Sequence, residues 1–143
     1  GHTADSVVVH VPELGLLLAG DAVETPLPTL SEPGHIRAWA RTLREWGRNG
    51  VKHVVPGHGR PGGPELLAEN AAYIERILEA AEIGLTKGQS PEEIAAGLSL
   101  ADLLPEHVLA QLPPYYAQQH QANIAAAVAE VQAAAGGLRP GQA

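Results

Sequence analysis

The chain has 143 residues, a formal net charge of -7 and no cysteine. That length suits about one ordinary domain. The acidic balance, with few and scattered Lys and Arg, argues against a nucleic-acid-binding face, and the missing cysteines exclude disulfides, thiolate metal sites and a cysteine nucleophile.

Aromatic residues make up 3% and Phe is absent, so Leu, Val, Ile and Ala must build the core. No apolar run reaches the roughly 18 residues that a membrane-spanning helix needs. No signal peptide is visible, which points to a cytoplasmic protein. The chain opens on Gly1-His2-Thr3 without an initiator Met, so an upstream segment that is missing, cleaved or on a separate chain is expected.

In chain order, Ser6 to Val11 is a β-branched run and predicts a strand. Pro12-Glu13-Leu14-Gly15 predicts a reversing turn. Leu16 to Gly20 predicts a second strand, apolar throughout as if covered on both faces, that ends at Asp21. A Pro-rich loop covers Glu24 to Pro33. Ile36, Trp39, Ala40, Leu43 and Trp46 recur at helical spacing, which predicts a helix over 34–48. Val51 to Val55 predicts a short strand, followed by the turn-rich segment Pro56 to Gly63.

The rest is helical and rich in Ala. Leu67, Ala71, Ile74, Leu78 and Ala81 mark the buried stripe of a long helix over 64–83. Ser90-Pro91-Glu92-Glu93 is a capped start for a short helix to Leu98. Further helices are expected over 100–112 and 113–135, with a disordered tail over 136–143. The organisation expected is therefore 1–83, 84–135 and that tail.

Three pieces carry candidate chemistry: Gly1-His2-Thr3 before the first strand, Gly20-Asp21 after the second, and Pro56-Gly57-His58-Gly59 after the third. Each puts an ionisable side chain in a loop at a strand end, where rigid scaffolds usually present ligands. Antiparallel pairing would bring the His2 and Asp21 ends together. Taken singly, each has an ordinary explanation as a turn or loop residue; their order and flanking residues make the pattern specific. His10, His35, His53 and His107 read as packing or surface residues. His120, in the last helix, is placed near a pocket mouth only if that helix approaches it. Tyr115 and Tyr116 read as a packed helix start or a pocket wall.

Together these pieces resemble the second half of the metallo-β-lactamase superfamily, which includes glyoxalase II-like thioesterases and lactonases. The resemblance implies an α/β (α+β) fold, half of an αββα sandwich with a C-terminal helical extension. It implies metal ligation by His2, Asp21 and His58, with Asp21 bridging two ions and orienting the nucleophile. Thr3, Gly20, Glu24 and Gly57 would support them. It implies Zn2+, two ions per complete site, with Fe or Mn as alternatives. A metal-bound hydroxide would attack an ester, thioester, lactone or related bond of a small-molecule substrate.

The family's leading His-x-His-x-Asp-His motif is not in this sequence, so the resemblance implies an N-terminal half that carries it, in the same gene product or on a separate chain. Asp21 at the bridging position, where some zinc β-lactamases use a thiolate, argues against penicillin-type substrates. By ligand counting, the chain alone is expected to bind metal weakly. Two other readings compete: a non-catalytic half-fold that serves as a structural or interaction module, and a helical interaction protein working through residues 64–135. A lone half would expose an apolar sheet face, so pairing with the other half or with a second copy is expected. Neither nucleic acid nor membrane is expected as a partner.

Overall fold

The computed structural model describes residue 3, residues 5–30 and residues 35–137. Among these, three strands form one sheet in the order β1-β2-β3: β1 (Val9–Val11), β2 (Leu16–Glu24) and β3 (His53–His58). β1 and β2 run antiparallel through a 3-10 turn at Pro12–Leu14, closed by Gly15 at φ 57. That positive φ is cheap only for glycine. β2 and β3 run parallel, so the chain must cross over between them, and α1 (Ile36–Arg48) makes the crossing.

Pairing of β1 starts at Val9 opposite Leu18, not at Ser6 as the β-branched run predicts. By that register Val7 would face Gly20, whose φ of 51 turns β2 out of extended geometry. The other ends also shift. β2 continues through Asp21 to Glu24, and β3 continues to His58. Both residues are therefore strand residues, not loop residues beyond a strand.

Among the described residues, the sheet is covered on one face only. Leu17 and Ala19 of β2 and Val54 of β3 are buried with Ile36, Trp39 and Leu43 of α1. Leu18, which points the other way, is 41% exposed. The apolar run at 16–20 thus has one open face, because the helices pack on the Leu17 side.

α2 (Glu65–Thr86) buries the predicted stripe Leu67, Ala71, Ile74, Leu78 and Ala81, and runs one turn past it. Gly88 at φ 73 ends that course. α3 (Pro91–Gly97) begins on a reciprocal capping box between Ser90 and Glu93. The single helix expected over 100–112 is broken into a 3-10 turn at Leu100–Asp102 and α4 (Glu106–Leu109). Ser99 and Asp102 cap their own turn, and Pro105, which has no N–H to donate, sits where a continuous helix would need one.

α5 (Tyr115–Gly137) follows Pro113-Pro114 and includes Gly136 and Gly137; positions 138–143 of the expected tail lie outside the described residues. α5 secures the segment after β2 with buried polar groups. Asn123 accepts from Leu30 N at 2.9 Å and donates to Pro28 O at 2.8 Å. The Glu130 carboxylate accepts from Ile36 N at 2.7 Å and Arg37 N at 2.9 Å, satisfying donors that α1 cannot satisfy itself. Ile124, Ala127 and Val128 of α5 share one core cluster with Leu17 and Leu67.

Candidate metal centre

Three candidate ligand side chains gather at one end of the β2–β3 pair. Asp21 and Glu24 are three apart on β2. In a regular strand they would point to opposite faces. The pairing is irregular here: Gly20 faces Pro56 and Glu24 faces His58, so β2 advances four residues while β3 advances two (24 − 20 against 58 − 56). The surplus bulges β2 and turns both carboxylates toward His58. His58 Nε2 lies 3.5 Å from Asp21 Oδ1 and 3.9 Å from Glu24 Oε1. One ligand atom from each residue lies within 4.8 Å of the others.

Glycines permit this approach. A Cβ on Gly57 would lie 1.9 Å from Asp21 Oδ1, and one on Gly59 would lie 1.7 Å from Thr25 Oγ1. His58 therefore sits between two positions that tolerate no side chain. Its backbone also joins the strands, with Thr25 N donating to His58 O at 3.0 Å.

Glu24 is 5% exposed and firmly held. Its N–H donates to Asn70 Oδ1 at 3.1 Å, and its carbonyl accepts from Asn70 Nδ2 at 2.9 Å. Its Oε2 accepts from Thr29 N at 2.5 Å. Asp21 and His58 reach solvent, with side chains 44% and 70% exposed. An imidazole with two carboxylates is a borderline-to-hard donor set that suits zinc, iron or manganese.

Beside the group lies a cleft of about 180 Å3 walled by Glu24, His58, Tyr115, Tyr116 and Gln119. The two tyrosine rings stack at 4.4 Å. The Tyr116 phenol is pushed up to about 12, by burial first, then by Tyr115 and by the nearby Glu24 charge. It stays protonated at neutral pH and can donate a hydrogen bond into the cleft.

No protein-family model matches the chain. A metallo-beta-lactamase type 2 from Bacteroides fragilis is 30% identical over 86 residues, covering 56% of this chain and 34% of the relative. A crystal structure of a metallo-beta-lactamase family protein from Thermus thermophilus superposes with a TM-score of 0.62 at 20% identity, covering 99% of this chain and 44% of that one.

This chain is part of a metallo-β-lactamase fold. It spans less than half the length of either protein.

Within this partial metallo-β-lactamase fold, the residues expected at the site stand as follows. Asp21 and His58 come together. His2 lies outside the described residues. Thr3 bonds Asp5 and Ser6 in a local turn. Gly20 bends β2 just before Asp21, and Gly57 packs on the Asp21 carboxylate. Glu24, expected only as support, has a carboxylate oxygen in the group itself.

His120 is committed elsewhere. It is 4% exposed, with Nδ1 at 2.8 Å from Tyr73 Oη and Nε2 at 2.7 Å from Leu98 O. Both ring nitrogens are used inside the fold, so it does not open on a pocket. His10 and His53 are exposed strand residues, His35 precedes α1, and His107 is exposed in α4. Tyr115 and Tyr116 form both a stacked helix start and a cleft wall. The sequence offers no sign that Glu24 belongs in the group, because only the bulge rotates it there.

Proposed function

We propose that this chain supplies one half of a metal-dependent hydrolase of the metallo-β-lactamase superfamily. The observation that carries the reading is the convergence of Asp21, Glu24 and His58 at one end of the sheet, beside an aromatic cleft. In this reading His2, Asp21 and His58 hold metal, and Asp21 bridges two ions. An N-terminal half with His-x-His-x-Asp-His supplies the remaining ligands. Zinc is the first choice of ion, with iron or manganese as alternatives.

Bound divalent ions would supply Lewis acidity and bring the pKa of water toward neutrality. The chain's own residues do the rest. Asp21 fixes the geometry of the group from β2. Glu24, buried and anchored by Asn70 and Thr29, keeps that edge of the cleft rigid. Tyr116 holds a proton at Oη and presents it to a carbonyl oxygen of an ester, thioester or lactone. Tyr115 and Gln119 narrow the cleft around a small substrate.

The test is a panel of esters, thioesters and lactones offered to this chain together with the half that carries His-x-His-x-Asp-His, fused to it or as a second chain, loaded with Zn2+. Turnover should vanish with a chelator, and Asp21→Ala or His58→Ala should each lower it by more than about 100-fold, beyond what loss of a supporting residue costs. Turnover that survives both the chelator and the substitutions would remove the hydrolase reading and leave the half-fold interaction module.

A further inference from the structure

The Glu24 carboxylate has one oxygen accounted for and one without a hydrogen-bond partner. Oε2 accepts from Thr29 N. Among the described residues Oε1 accepts no hydrogen bond, and it faces His58 Nε2 at 3.9 Å across the cleft. The residue is 5% exposed, and no Lys or Arg pairs with it among the described residues. No buried side-chain oxygen or nitrogen among the described residues lacks a hydrogen-bond partner, so Oε1 opens onto the cleft, where a cation can reach it.

The separations indicate what that is. Donors on a tetrahedral zinc at ordinary Zn–N and Zn–O lengths stand about 3.4 Å apart, and more where the angle between them opens. His58 Nε2 and Asp21 Oδ1 are 3.5 Å apart, His58 Nε2 and Glu24 Oε1 are 3.9 Å apart, and all three donors lie within 4.8 Å of one another. Three donors around one point suffice for one divalent ion with water completing the shell.

We infer that Glu24 is itself a metal ligand, and that Asp21, Glu24 and His58 form a one-ion site for a divalent cation such as Zn2+ that this chain holds by itself. This deepens the reading above and rests on its metal, not on hydrolysis. It replaces the expectation of weak binding that comes from counting His2, Asp21 and His58 as donors divided between two ions. With Glu24 counted, three donors serve one ion.

The experiment is calorimetric titration of Zn2+ into the 143-residue chain and three variants, Asp21→Ala, His58→Ala and Glu24→Gln. Glu24→Gln keeps an oxygen that accepts from Thr29 N while removing the charge. The inference expects one Zn2+ per chain and at least tenfold weaker binding in every variant, Glu24→Gln included. If Asp21→Ala and His58→Ala weaken binding but Glu24→Gln does not, Glu24 is no ligand and the inference fails, while the hydrolase reading stands. If the chain takes up no Zn2+, the inference fails outright. Should Glu24→Gln lower the melting temperature, the wild-type chain with 13C-labelled Glu provides a second measurement. Mn2+ should broaden the Glu24 carboxyl carbon beyond detection at one equivalent, and a sharp signal there overturns the assignment.

Discussion

Gly57 shows how little room the centre leaves. The distance of 1.9 Å from a notional Cβ to Asp21 Oδ1 is far inside any contact, so Gly57→Ala must push β3 off β2 at the point where His58 meets the carboxylates. Overpacking of this kind costs about 1–3 kcal/mol. Urea unfolding should show that loss, with a weaker Zn2+ titration alongside it; a variant as stable as wild type would mean that the strands part freely. Asn70 makes a second residue-scale case. Both of its amide atoms bond the Glu24 backbone. Asn70→Ala strands two buried polar groups, each worth about 1–3 kcal/mol. The midpoint of chemical denaturation should fall accordingly, and an unchanged midpoint would show that water replaces the amide.

Among single residues, the ligand-type side chains of Asp21 and His58 were legible from their motifs. Glu24 was not. Its distance of three from Asp21 in a strand predicts opposite faces, and only the uneven advance of β2 against β3 reverses that.

Among the elements, α2 and α3 were legible because periodic apolar residues and a Ser-Pro-Glu-Glu start are local signals. The interruption between Asp102 and Glu106, inside the helix expected over 100–112, is invisible to apolar spacing, although Pro105 marks it. The junction of α2, α3 and α5 makes a pH prediction. Tyr73 on α2 donates or accepts at His120 of α5 and accepts from Asn123 at 2.9 Å, and burial holds its phenol well above the ordinary tyrosine value. Below about pH 10 the phenol is protonated in both the folded and unfolded chain and contributes no slope. Above it, the unfolded chain releases a proton that the folded chain keeps. Stability therefore falls as pH rises, by up to about 1.4 kcal/mol per pH unit from this group. Melting temperatures from pH 9 to 11.5 should drop, and the drop should be shallower in Tyr73→Phe, whose starting stability is lower. An identical slope in the variant would assign the effect to other groups.

At the scale of the molecule, the sheet has a covered face and an open one. Val9 and Leu18 are register partners on the open side, 51% and 41% exposed, and Val7 is 81% exposed. Apolar residues paired in this way invite another surface. The 143-residue chain should therefore self-associate at micromolar concentrations in sedimentation velocity, and Val9→Lys with Leu18→Lys should return it to a monomer with the covered core intact. A wild-type chain that stays monomeric would mean the open face is tolerated as it is. No helix among the described residues is long and apolar enough to cross a membrane.

The sequence by itself determined the helical stripes, the α3 cap and the hairpin turn, because each depends on neighbours within a few positions. The tertiary structure decided where the strands stop, which sheet face is covered, and which carboxylates meet His58. Those outcomes depend on register and on the closeness of elements that pack together from separate parts of the chain, and no local pattern encodes them.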